Sequence, residues 1–250
     1  MTSPELNSIL ANIINGGTII FCGAGISRDS GLPIVNQIVP SILSKFNLEL
    51  QEIESILDKS NNPKLPFELF IEILQENSDI NDLLSIYEEG EPNLNHLIVA
   101  NLIKEGKIKT ILTTNFDTLL EKALCSKPNC MKQGIDFEVI YDSSQFQEID
   151  WTENKIRIVK LHGSVEDKKN MAITIKQIAS HKNLEHITSV IDFAFSKGSH
   201  KNILFLGYSA SDIFDISPII ESLISNNEIY FIQHSEQFRI DNINFQNEKN

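Results

Sequence analysis

Thr18-Ile19-Ile20-Phe21-Cys22 is an unbroken apolar run that leads straight into Gly23-Ala24-Gly25-Ile26-Ser27. With no polar alternation it has no solvent face, so it reads as a strand covered on both sides, the situation of a parallel strand under helices. The pattern recurs. Ile108 to Leu112 ends in Thr113-Thr114-Asn115-Phe116-Asp117, Ile156 to Leu161 delivers His162-Gly163-Ser164, and Ile203 to Leu206 leads into Gly207-Tyr208-Ser209. Further strands are expected at Glu138 to Tyr141 and Glu228 to Gln233. Strands alternating with helical segments predict an α/β fold, a Rossmann-like and mostly parallel sheet with helices on both faces. Such sheets bind ligands at the carboxyl ends of their strands, so the four polar or glycine-rich segments fall on one edge.

The intervening segments are helical in pattern. Leu94, Leu97, Ile98 and Leu102 recur at helical spacing, with Asn93 as a candidate N-cap and Gly106 as the stop. Phe116, Leu119, Leu120, Ala123 and Leu124 mark one face of the next helix, and residues 176–197 and 212–224 read as helical. Residues 35–90, broken at Asn61-Asn62-Pro63 and Glu89-Gly90-Glu91-Pro92, read as a helical insertion. The 250 residues therefore suit one domain over residues 1–235 with that insertion, and residues 236–250 as a polar tail or linker.

Composition narrows the functional classes. A net charge of −13 opposes direct binding to nucleic acid, whose phosphates would meet a like-charged surface. No apolar run reaches membrane-spanning length, and the start MTSPELNSIL lacks the basic and long apolar parts of a signal peptide. Three cysteines, Cys22, Cys125 and Cys130, suit a reducing compartment, so a cytoplasmic location is expected. They cannot supply a four-cysteine zinc site, and the six histidines show no metal-ligand spacing, so no metal is expected.

Each strand end has a chemistry and a plainer alternative. Gly23 and Gly25 let backbone approach a pyrophosphate, and N–H groups opening the next helix face an anion; Ala24, Ser27 and Arg28 complete that segment with a hydroxyl and a cation. The same residues can form a tight turn without ligand, and Ser30-Gly31-Leu32-Pro33 supplies a second turn. Asn115 and Asp117 can orient a ribose hydroxyl, a carboxamide or a water, although Asn115 or Thr114 can equally cap the following helix. A histidine side chain titrates near neutrality, so His162 can accept a proton, yet a histidine before glycine is often structural. Gly207 permits close approach and Ser209 can bond a phosphate or ribose, while Asp212 suits a helix cap.

Taken together these segments resemble the SIR2 (sirtuin-related) family. Gly23-Ala24-Gly25-Ile26-Ser27 with Ser30-Gly31-Leu32-Pro33 is similar to its GAGxS…SGxP segment, and Pro92-Asn93 with His96 to its PNxxH helix start. Thr114-Asn115-Phe116-Asp117 stands where sirtuins have QNID, Leu161-His162-Gly163 at their HG motif, and Gly207-Tyr208-Ser209 at their GTS. Residues 165–202, where deacylases carry a four-cysteine zinc ribbon, contain no cysteine. That departure, with TTNFD and GYSxxD, resembles the NAD⁺-hydrolysing branch of bacterial anti-phage defence.

The resemblance implies NAD⁺ as substrate, with its pyrophosphate over Gly23 to Ser27 and its adenosine ribose near Ser209 and Gln233. It implies His162 as general base, Asn115 holding the water and ribose, and Asp117 on the nicotinamide carboxamide, giving nicotinamide and ADP-ribose. A zinc-free NAD-dependent protein deacylase and a non-catalytic nucleotide sensor stand as alternatives. Depletion of NAD⁺ needs restraint, so a homo-oligomer or a heteromeric complex with a regulatory or sensor protein is expected.

Overall fold

A computed structural model of the protein describes residues 4–33, 35–43, 57, 66–77, 80–197, 202–210, 214–222 and 228–232. One sheet contains β1 (Thr18–Cys22), β2 (Ile108–Thr113), β3 (Glu138–Ile140), β4 (Arg157–Lys160), β5 (Asn202–Leu206) and β6 (Glu228–Ile232). Their order is β3-β4-β2-β1-β5-β6, and every neighbouring pair is parallel. The chain leaves β1 on one side for β2 and returns on the other for β5. That reversal opens a crevice at the carboxyl end of β1.

The covered-strand reading of β1 follows from its two neighbours' worth of packing. Ile19 and Phe21 join one core layer with Val159, Ile187, Val190 and Phe205. Ile20 and Cys22 join the opposite layer with Val99, Ala100, Ile103, Leu120 and Ala123. Side chains alternate across a strand, so a sheet buried on both faces needs apolar residues at every position. Helices α5 (Leu94–Lys104) and α6 (Leu119–Cys125) supply part of one layer, and α8 (His181–Asp192) and α9 (Ile216–Ser222) part of the other. Upstream of them, α1 (Pro4–Ile14) adds Ile13 to the α5 side.

The insertion forms its own core. Helices α2 (Val35–Leu43), α3 (Phe67–Asn77) and α4 (Asn81–Leu84) gather Ile38, Val39, Leu43, Phe70, Ile71 and Leu84. Met171 and Ile173 join them, ahead of the short α7 (Ile175–Ile178). Sequence patterning did not assign residues 171–173 to this module, because two apolar residues in an irregular segment carry no period.

Helix boundaries differ from expectation in four places, one of them α9, which starts at Ile216 after a turn at 214–215. The turn after β1 is a 3₁₀ helix, Ala24–Ser30, closed by Gly31 at φ +82°. Phe116 does not lie on the face of α6, which starts at Leu119: the Asp117 carboxylate accepts the Leu119 N–H, so neither Thr114 nor Asn115 caps it. Phe116 instead packs against the insertion, edge-on to Tyr87 at 5.7 Å between ring centroids. Residues 176–197 divide into α7, α8 and a π-helical turn, Phe193–Lys197. The expected Asp212 cap and the 236–250 tail lie outside the described residues, as does Gln233. By contrast α5 begins and ends as read: Asn93 accepts from Asn95 and His96, and Gly106 and Lys107 donate back to Ile103 and Leu102 in a Schellman closure.

The turns after β1 and β5 touch backbone to backbone. Gly23 N–H donates to Leu206 O, and Gly25 N–H to Gly207 O at 2.8 Å. A Cβ on Gly207 would stand 2.3 Å from the Ile26 nitrogen, and one on Gly25 2.7 Å from Gly207 O. Gly207 also holds φ +62°. Replacing it with alanine therefore adds an overlap to a strained backbone. We expect Gly207→Ala to lower the unfolding free energy in urea by at least about 2 kcal/mol, whereas Gly31→Ala, at positive φ with open space around it, costs about 1 kcal/mol. Equal losses in the two variants would contradict the packing role.

Candidate active site

Four strand ends meet at the crevice. The glycine segment contributes less free N–H than its spacing suggests, because Gly23, Gly25 and Ile26 donate to Leu206 O, Gly207 O and Gly23 O. The Gly23 and Gly25 positions are emptied of side chain to admit the β5 turn, whose Tyr208 ring packs 4.8 Å from Phe21 and 5.4 Å from Phe205. Ala24 and Gly25 remain exposed at the rim, as do Arg28 and Ser209.

Behind that rim, side chains from two distant segments converge on one oxygen of a third. Ser27 is buried and its Oγ donates to Asp117 Oδ2 at 2.8 Å. The same oxygen lies 3.2 Å from His96 Nε2 and accepts from Asn115 Nδ2 at 3.2 Å. Asn93 N–H donates to His96 Nδ1, which assigns the remaining proton to Nε2 and points it at Ser27. Asn93 Nδ2 in turn holds Ile26 O at 2.7 Å. Burial holds His96 below the ordinary histidine range, against the pull of Asp117. Asn115 Oδ1 and Ser30 Oγ are buried and have no hydrogen-bond partner among the described residues. An orphaned acceptor on Asn115, beside a bonded amide, suits a water or a sugar hydroxyl.

His162 forms the other wall. Its Nε2 lies 2.8 Å from Asp215 Oδ2, and both residues are buried. Asp215 immediately precedes α9, whose Ile219 N–H donates to the Asp215 carbonyl. The Phe116 ring, between Asn115 and Asp117 in sequence, stands 6.3 Å from the imidazole between centroids. The two walls are tied through Lys160, which is 1% exposed: its Nζ contacts Phe116 O, Asp117 O, Glu121 Oε1 and Ser164 Oγ at 2.6 to 3.1 Å. Burial pushes the Glu121 carboxyl up, against the pull of Lys160. Among the described residues, no cluster of three or more His, Cys, Asp or Glu can hold a metal ion.

Residues 109–247 match the model of the SIR2-like domain family, more than half of the chain. The chain belongs to that family. Over 237 residues, 93% of this SIR2-like chain and 43% of the relative, it is 24% identical to the NAD(+) hydrolase ThsA of Acinetobacter baumannii. Over 163 residues, 60% of each protein, it is 28% identical to NAD-dependent protein deacetylase 2 of Caldanaerobacter subterraneus. The NAD-dependent protein deacetylase of Clostridium tetani is 27% identical over 160 residues, 63% of this chain and 60% of that protein. The chain thus spans 43% to 60% of the length of these relatives. A solved Sir2 homolog–NAD complex superposes with a TM-score of 0.49 and 15% identity, covering 91% of this chain and 82% of that one.

Of the residues singled out in sequence, the SIR2-like fold brings Ser27, Asn115 and Asp117 into one network and sets His162 on the facing turn. Arg28 and Ser209 stay on the rim. Four further residues carry the site without having been assigned a role. Asn93 and His96 were visible as a PNxxH start, which signalled only a helix cap; Lys160 and Asp215 are isolated polar residues without motif or period.

Neutral, buried His96 makes stability depend on acidity in a known direction. Its folded-state affinity for protons is depressed, so its contribution is complete above the unfolded value of about 6.5 and is lost as pH falls toward the folded value. Glutamine at this third helical position can keep the reciprocal capping pair. We expect the unfolding free energy to fall more between pH 7.5 and 5.5 in the wild type than in His96→Gln. Parallel losses would refute a neutral His96.

Proposed function

We propose that this SIR2-like domain hydrolyses NAD⁺ at the nicotinamide–ribose bond, releasing nicotinamide and ADP-ribose. The observation that carries the reading is the pairing of an orphaned, oriented Asn115 amide on one turn with the His162–Asp215 pair on the next. The similarity to NAD(+) hydrolase ThsA along 93% of the chain supports it, as does a 165–202 segment without cysteine.

Nicotinamide leaves with the bonding electron pair through an oxocarbenium-like state, which needs positioning more than strong acid catalysis. Water then adds to C1′, and its proton passes to His162. Asn115, oriented through Ser27 and Asp117, holds that water and the ribose. Asp117 accepts three hydrogen bonds from the protein, and a carboxylate has about four acceptor positions, so one remains for the carboxamide. Gly23 to Ser27, with Ala24 and Arg28 at the rim, faces the pyrophosphate, and Gly207, Ser209 and Gln233 the adenosine side. A hydrolase of this kind would exhaust its cell's NAD⁺. We therefore place it in anti-phage defence, held inactive in the cytoplasm until a partner or an oligomer switches it on. The deacetylase relatives support a second reading, an NAD-dependent deacylase using the same His162 and Asn115.

With the active assembly in hand, His162→Ala and Asn115→Ala each lower NAD⁺ turnover by about 100-fold or more, the scale of a lost acid/base or positioning group. Asp215→Asn lowers it by less than His162→Ala, because the imidazole remains but loses its anionic partner. Near-wild-type turnover in His162→Ala or Asn115→Ala would overturn the assignment.

A further inference from the structure

A lysine with 1% exposure at the end of a central strand is an unusual component of a core. Lys160 closes β4, and four oxygens surround its ammonium: Asp117 O at 2.6 Å, Glu121 Oε1 at 3.0 Å, and Phe116 O and Ser164 Oγ at 3.1 Å. Phe116 and Asp117 belong to the turn that carries Asn115. Ser164 belongs to the turn that carries His162, two residues from it. One cation therefore grips both walls of the crevice, and Val165 N–H adds a second tie to Phe116 O at 3.0 Å.

Stability alone does not account for this choice. Desolvating an ammonium and a carboxylate costs several kcal/mol each, and well-packed apolar residues in place of a buried pair are often neutral or stabilising. Glu121 balances the charge of Lys160, yet an apolar pair would need no balance. What an apolar pair cannot provide is donors to the Asp117 and Phe116 carbonyls, which lie past the end of the β2 ladder, and to the Ser164 hydroxyl. Those three acceptors are distributed over the two turns whose separation sets where Asn115 and His162 stand. A displacement of about 1 Å between such groups costs on the order of 100-fold in rate.

We propose that Lys160 is a positioning residue: its ammonium fixes the distance between the Asn115–Asp117 turn and the His162 turn. The kinetic part of this inference rests on the hydrolase reading; the structural part does not. Lys160→Met alone leaves Glu121 buried without its cation and should lose stability, and Lys160→Met/Glu121→Leu should recover most of that loss. Glu121→Gln keeps the ammonium on both turns, at a cost in stability.

The test combines urea unfolding, NAD⁺ turnover by the active assembly at 10 °C, and amide hydrogen exchange over residues 113–118 and 162–166. We expect the double variant to unfold near the wild-type midpoint, to lose kcat by on the order of 100-fold with little change in KM, and to exchange faster in both segments. Glu121→Gln should be less stable yet keep kcat close to wild type. If the double variant does not fold, Ser164→Ala, which removes one tie, should raise exchange in 162–166 with a smaller loss of kcat. Wild-type exchange in both segments of the folded double variant, or of 162–166 in Ser164→Ala, would overturn the proposal. Absence of NAD⁺ turnover in every assembly would overturn the hydrolase reading instead, leaving the exchange data to decide the role of Lys160.

Discussion

The Ser27 hydroxyl is the point on which the site depends. It donates to Asp117 and receives His96 and Asn115, so groups from two segments, 69 and 88 to 90 residues further along the chain, meet at one buried oxygen. A hydroxyl has one donor and two acceptor positions, and all are taken. That saturation orients the Asn115 amide: with Nδ2 held by Ser27 and Asp117, Oδ1 remains as the acceptor. The sheet makes the meeting possible, because β1 lies between β2 and β5 and delivers its turn against both.

Much of this was legible in the sequence where the physics leaves a period or a run. Continuous apolar stretches gave the strands, since β1 is covered on both faces, and four strand-end segments gave the location of the crevice. Asn93 and Gly106 announced α5 through cap chemistry that is local in the chain. The same reliance on period misplaced Phe116: its spacing to Leu119 and Leu120 is helical, but the Asp117 carboxylate starts α6 two residues later and sends the ring toward Tyr87. The glycines of residues 23–25 were read as room for a ligand, and part of that room is occupied by the Gly207 turn. Gln233 falls outside the described residues, so its place at the adenosine side stays a proposal.

Lys160, Asp215 and His96 were harder to read because buried polar residues follow no period. Each is defined by a partner far along the chain: Asp215 by His162 at 53 residues, Lys160 by Glu121 at 39, His96 by Ser27 at 69. Burying such groups is unfavourable unless their bonds are made, and each pair makes them at the carboxyl side of the sheet. These three pairs of this SIR2-like domain lie where substrate is proposed to sit. The insertion packs beside them through Met171, Ile173 and Phe116, which join the helical module rather than the sheet cores.

The two proposed reactions, hydrolysis and deacylation, would use the same strand ends and part at the identity of the acceptor. The most direct measurement is the product spectrum of the active assembly incubated with NAD⁺, with and without an acylated peptide. The account predicts nicotinamide and ADP-ribose in equal amounts at a rate indifferent to the peptide. Nicotinamide release only in the presence of acylated peptide, with O-acyl-ADP-ribose as its partner product, would contradict it.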